Sequence, residues 1–180
     1  MTLELLIVAA ARVLGSLPVL RWAFAGALIA IAVDFSDLFM ISLIHLGGVG
    51  NYQSVDKWLD LVYMVTFLIV ALRWSGTVRN VAVGLFGYRM IGVASFEITH
   101  ARAVLLAFPN VFEFWFVGVS GFKHWKPGYE FTARRAALWL LVALALKMVQ
   151  EWILHGGRYL DKYEAVQVMT DWWNWVTGLF

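Results

Sequence analysis

Five stretches of the chain, about 22–46, 57–73, 80–99, 103–121 and 136–156, are each apolar over the length a helix needs to cross about 30 Å of hydrocarbon. An aqueous fold has little use for so many: 62% of the residues are hydrophobic, 14% are charged and the mean hydropathy is +0.75. Ordinary soluble domains are nearer to about 45–50% apolar and about 25% charged. The expected fold class is all-α, a polytopic membrane helical bundle of five transmembrane helices, or six if residues 1–20 also cross. That first stretch is apolar but interrupted by Arg12, Gly15 and Pro18, which suits a short span or a helix lying in the interface. Residues 163–180 set Trp172, Trp173 and Trp175 among Asp171, Asn174 and Thr177. Such a segment reads as an interfacial helix held by its indoles, or as a tail packed on a partner subunit. The chain shows no internal repeat and no linker long enough to divide it, so residues 1–180 read as one integral membrane domain.

Several function classes fall away on composition. With no cysteine there is no disulfide and no thiolate metal site. A net charge of +2 spread along the chain gives no footprint for nucleic acid. Glu4 and the missing basic leader argue against a removable signal peptide. Orientation follows from the loops: Arg79 adjoins Arg73 in one, and Lys123, Lys126, Arg134 and Arg135 lie in another, whereas 47–56 has no basic residue. The two basic loops are therefore expected to be cytoplasmic, with Arg12 and Arg21 inside and the C-terminal tail outside. A bacterial cytoplasmic membrane is the expected location, with membrane lipids as partners and a homo-oligomer or larger membrane complex as the setting.

Against that background the acids stand out. Asp34 and Asp37 sit inside an apolar run, and Asp56 and Asp60 sit at the mouth of the next. An aspartate at a helix centre costs roughly 2.5–3.5 kcal/mol even on an insertion scale, so its presence calls for a partner or a purpose. Spacings of three and four put each pair on one helical face, where two carboxylates can address one cation. By depth, Asp34, Arg89, Glu113 and Lys147 fall near the midplane and can neutralise one another. Asp37, Asp60, Glu97, Glu151, His45, His100 and His155 fall in the half opposite the basic loops.

Further constellations each have two readings. Lys147, Glu151 and His155 form one stripe, either a structural ion pair or part of a proton relay or metal shell. Glu97 and His100 have the Glu-x-x-His spacing of di-iron bundles, but only one copy is present. Arg89, among Gly84, Gly87 and Gly92, can hold a phosphate or pair with Glu113 or Asp34. Pro109 and Asn110 inside the fourth apolar stretch predict a kink.

Asp34-Phe35-Ser36-Asp37 followed by Asp56-Lys57-Trp58-Leu59-Asp60 resembles the D-x-x-D-G-x-x-A-R … G-x-x-x-D-x-x-x-D signature of the CDP-alcohol phosphotransferases. The resemblance covers residues 34–60. It implies a divalent cation, Mg²⁺ or Mn²⁺, on Asp34, Asp37, Asp56 and Asp60, with Asp60 also the catalytic base. Outside the resemblance, Arg89 is the candidate cofactor-binding residue, holding a phosphate by its planar fork. Leu38 stands where that family has its first glycine, Ile41 and Ser42 replace the alanine and arginine, and Tyr52 replaces the second glycine. The family's site also faces the cytoplasm, opposite to the side the loop charges give. The leading expectation is a membrane protein with an acidic divalent-cation site, a diverged relative of lipid headgroup phosphotransferases. The alternatives are a cation channel or transporter with an acidic vestibule, in which Glu97, His100, Glu113, Lys147, Glu151 and His155 line a path, and a non-catalytic subunit of a larger complex.

Overall fold

A computed structural model describes residues 3–44 and 52–152, with Asn174, Thr177 and Gly178 beyond them. Those residues are helical throughout, with no strand among them. Helix α1 spans Leu3–Ser16 and a 3-10 turn follows at Leu17–Leu20. Then come α2 (Ala23–Ile44), α3 (Tyr52–Ala71), α4 (Thr77–Thr99), α5 (Arg102–Ala107), α6 (Val111–Trp125) and α7 (Ala133–Glu151). His155 and the Trp-rich tail fall largely outside the described residues, as do the side chains of Asp37 and Asp56.

Residues 1–20, left open between a short span and an interfacial helix, form α1, which packs against α2 and α3. Val8, Arg12 and Ser16 follow at four-residue spacing and are all buried, at 1%, 4% and 1% exposure. The outward face is Leu3, Leu6 and Leu14, at 59%, 48% and 65%. Polar groups face in and leucines face out, the reverse of a helix on an aqueous protein. Pro18 has no N–H to extend the helix, so its carbonyl instead accepts from the Arg21 and Trp22 amides and the chain turns back. The reversal is tight because position 26 is glycine: a Cβ there would lie 2.3 Å from the Val19 nitrogen. Gly26→Ala is therefore expected to cost about 1–3 kcal/mol through overpacking against backbone that cannot yield. An unchanged melting temperature for the variant would contradict this packing.

The sequence expectation of one helix over 103–121 is corrected. Pro109 does more than kink it: Phe108 (φ −121°, ψ 63°) and Asn110 (φ −76°, ψ 65°) both leave the helical region, and α5 and α6 are separate. Steric clash with a proline ring disfavours the helical conformation for the preceding residue, and the Pro109 carbonyl then accepts from the Val111 amide. This break exposes the Phe108 carbonyl to a side chain from α4.

The core joins α2, α3, α4, α6 and α7 through aromatic rings. Phe67 on α3 stacks on Phe116 of α6 with centroids 4.2 Å apart, and Trp74 stacks on the same ring at 5.2 Å. Trp115, fully buried, donates from its indole nitrogen to the Val78 carbonyl at 3.3 Å. The short connections at 17–22, 72–76 and 126–132 gather at one end of the bundle, where residues from all three line neighbouring cavities. Among the described residues one helix, Thr77–Thr99, is long and apolar enough to cross a membrane by length and composition, and residues 5–20, 23–36 and 58–71 form shorter apolar helices.

Candidate functional site

Helices α1, α2, α3 and α4 bring four ionisable side chains to one place inside the bundle. Arg12 comes from the buried face of α1, Asp34 from α2, Asp60 from α3 and Arg89 from α4. A single nitrogen of the Arg12 guanidinium, Nη1, lies 2.8 Å from Asp34 Oδ1 and 2.9 Å from Asp60 Oδ1. Nη1 donates a charge-assisted hydrogen bond to Asp60 Oδ1, and Asp34 Oδ1 stands beside the same nitrogen as an ion-pair contact without a hydrogen bond. The Arg12 side chain is 3% exposed, while Asp34 and Asp60 are 29% and 15% exposed. The cation is thus the most deeply buried member, and the acids open toward the surface.

Arg89 approaches Asp60 from the other side, with Nη2 4.0 Å from Oδ2. Its Nη1 donates to the Phe108 carbonyl at 2.8 Å, the oxygen released by the break before α6. Nearby, the Tyr88 hydroxyl donates to the Ala107 carbonyl, so two consecutive α4 side chains cap the end of α5. The expected pairing of Arg89 with Glu113 or Asp34 is replaced by these contacts. Gly92, one turn on, lets α4 approach the break, for a Cβ there would meet the Phe108 Cβ at 2.3 Å.

One turn beyond Asp60 on α3, Tyr63 extends the network toward α6. Asn110 donates to the Tyr63 oxygen at 3.1 Å and to Glu113 Oε2 at 3.3 Å, and Tyr63 donates to the same Oε2 at 3.3 Å. Tyr63→Phe removes the hydroxyl while leaving the ring against Phe67, and is expected to cost about 0.5–1.5 kcal/mol, with a further penalty if the Asn110 amide is left unpaired. Denaturant or thermal unfolding against wild type measures it; a gain in stability would contradict the hydrogen-bond assignment.

The remaining sequence candidates lie apart from this centre or outside the described residues. Lys147 pairs within α7 with Glu151 at 3.1 Å and donates to Gln150 at 2.8 Å, and both charged groups are buried. Glu97 keeps Oε1 buried without a hydrogen-bond partner among the described residues. His100 has left the helix: it is the exposed cap of α4, in the left-handed region at φ 51°. The Glu97-x-x-His100 spacing therefore does not continue along one helical face. Among the described residues no three His, Asp or Glu side chains come together as a metal shell. Asp37 and Asp56 belong to α2 and α3, but their side chains lie outside that description.

Arg12, Tyr63 and Asn110 are the members that sequence reasoning did not place in the site. Arg12 did carry a signal, as one of two polar residues four apart in an apolar stretch. Its partners, however, are 22 and 48 residues away, beyond any local pattern. Compared with models of known protein families, with curated proteins and with solved structures, the chain matches none.

Proposed function

We propose that the chain is a polytopic integral membrane protein whose α2–α3 acidic face holds a divalent cation, Mg²⁺ or Mn²⁺, and through it a phosphate-bearing lipid headgroup, as a diverged relative of the CDP-alcohol phosphotransferases. The membrane part is supported by an inside-out distribution. Arg12, Arg89, Lys147 and Glu151 are each at most 6% exposed, while Leu138, Leu141, Val149 and Ile91 are each more than half exposed. Charges are rarely buried together beneath a leucine surface unless that surface meets lipid.

The cation part is carried by one observation: carboxylates from two helices converge on one positive group, the Arg12 guanidinium. Arg12 and Arg89 already balance Asp34 and Asp60. The proposal adds Asp37, three residues after Asp34, and Asp56, four before Asp60, as the further carboxylates whose excess negative charge a divalent cation would neutralise. There the cation supplies the means to polarise a phosphoryl oxygen. Asp60 would be the candidate base and Arg89 the candidate donor for an anionic phosphate.

A second reading, a cation or proton path, is favoured by the Tyr63–Asn110–Glu113 hydrogen bonds one turn from Asp60 and by the buried Lys147–Glu151 pair on α7. The two readings separate on metal. Saturating Mn²⁺, at a hundredfold excess over Kd, is expected to stabilise the detergent-solubilised chain by about 2.7 kcal/mol. Asp37→Asn and Asp56→Asn together should abolish that shift. A shift that survives both substitutions sinks the proposed cation site. Single cysteines at Ser54 and Gly128, labelled from either side, fix the orientation: the loop charges predict Gly128 cytoplasmic and Ser54 outside.

A further inference from the structure

The end of the bundle opposite the acids carries a basic collar that the acidic centre does not use. Between the α1–α2 turn, the end of α3 and the end of α6 lies a cavity of about 310 Å³. Arg21, Lys123 and His124 form its cationic wall, and Trp22, Phe24 and Trp74 its apolar wall. No carboxylate lines it, and among the described residues no carboxylate pairs with Arg21 or Lys123. The rings hold the bases in place: the Arg21 guanidinium lies 5.8 Å over Trp22, and His124 stacks on Phe24 at 6.1 Å. Trp125, 68% exposed, packs edge-on against Phe24, and Trp22 is 60% exposed, so two indoles flank the opening.

We propose that this cavity binds the phosphate headgroup of an anionic phospholipid from the leaflet at the basic end; the inference rests on the membrane reading above. Its volume lies at the low end of the range of about 300–1,000 Å³ typical of ligand pockets, enough for a headgroup with the acyl chains left outside. Two permanent cations and an imidazole without an acid among them select negative charge. Three aromatic rings give a free phosphate nothing to bind, but they suit the glycerol and first methylenes of a lipid. Indoles at the rim belong at the headgroup level of a bilayer. Basic pockets between spanning helices at a cytoplasmic face are suited to anionic headgroups, each Lys or Arg contributing about fivefold in affinity.

The test uses the full chain in mild detergent, titrated with phosphatidylglycerol or phosphatidylcholine and read by native mass spectrometry. One phosphatidylglycerol is expected to be retained per chain in preference to phosphatidylcholine. Arg21→Gln and Lys123→Gln should each weaken it about fivefold. Arg134→Gln with Arg135→Gln, exposed bases of the same end outside the cavity, should leave it unchanged. Equal retention of the two lipids overturns the proposal. So does an equal loss in the Arg134 and Arg135 variant, which would mark diffuse surface charge, and so does displacement of the lipid by inorganic phosphate at matched concentration, which would mark a small-anion site. Detergent phase separation keeps the two levels distinct. A chain that stays in the aqueous phase fails the membrane reading and this inference with it, whereas one that enters the detergent phase but is indifferent to headgroup fails this inference alone.

Discussion

Arg12→Gln is expected to destabilise the chain by about 3–5 kcal/mol, the cost of leaving buried charges without their partner. The guanidinium is 3% exposed and touches carboxylates of two different helices within 2.9 Å, so its loss leaves Asp34 and Asp60 repelling each other across the gap it filled. Conversely, Asp34→Asn removes only the more exposed acid and leaves Asp60 on the guanidinium, and its cost should be smaller. The Arg12 substitution also has a diagnostic second effect. With a positive charge removed from beside the acidic face, Mn²⁺ should bind more tightly and restore part of the lost stability. Thermal unfolding of wild type and Arg12→Gln, each with and without Mn²⁺, reads both effects. A destabilised variant that gains no more from Mn²⁺ than wild type does would make Arg12, Asp34 and Asp60 a helix-fastening triad and remove the case for a cation there.

Lys147→Met is expected to cost a similar amount, about 3–5 kcal/mol, because Glu151 is 6% exposed and loses its ammonium partner 3.1 Å away. Replacing both, Lys147→Met with Glu151→Leu, should recover most of that loss. A buried pair exchanged for packed apolar side chains is often neutral or stabilising, since neither charge then has to be desolvated. The cycle also separates the two functional readings. If this pair serves only to hold α7, the double variant keeps both stability and the Mn²⁺ response. If it is a station on an ion path, the double variant folds but stops cation or proton flux in reconstituted vesicles.

Much of the helical layout is legible in the order of the residues. Apolar stretches expected at 22–46, 80–99 and 136–156 correspond to α2 at Ala23–Ile44, α4 at Thr77–Thr99 and α7 at Ala133–Glu151. Helix length is a local property, set by backbone satisfaction and apolar runs. The start of α3 is less readable: it begins at Tyr52, five residues before the apolar stretch, because helices extend through polar residues that hydropathy alone leaves out. Pro109 marks a disturbance, but whether a proline bends a helix or ends it depends on what satisfies the carbonyls left open around it. Here Arg89 of α4 donates to the Phe108 oxygen at the break, and nothing near Pro109 in the sequence names that residue. The same holds at the centre. Spacing indicates only that Asp34 shares a helical face with Asp37, and Asp56 with Asp60; it takes the packing of α1 to show Arg12 standing between Asp34 and Asp60. The tight seats at Gly26, Gly92 and Gly118 are equally silent in the sequence, since a glycine becomes a contact only when Val19, Phe108 or Trp139 is brought against it.

The proposed function has Asp34, Asp37, Asp56 and Asp60 hold one divalent cation beside Arg12. Electron paramagnetic resonance of Mn²⁺ titrated into the full chain in detergent measures this directly. One bound Mn²⁺ per chain is predicted, lost when Asp37 and Asp56 are both changed to Asn and retained when Lys147 and Glu151 are both made apolar. A spectrum of free Mn²⁺ at every protein concentration, or a bound signal indifferent to Asp37 and Asp56, would refute it.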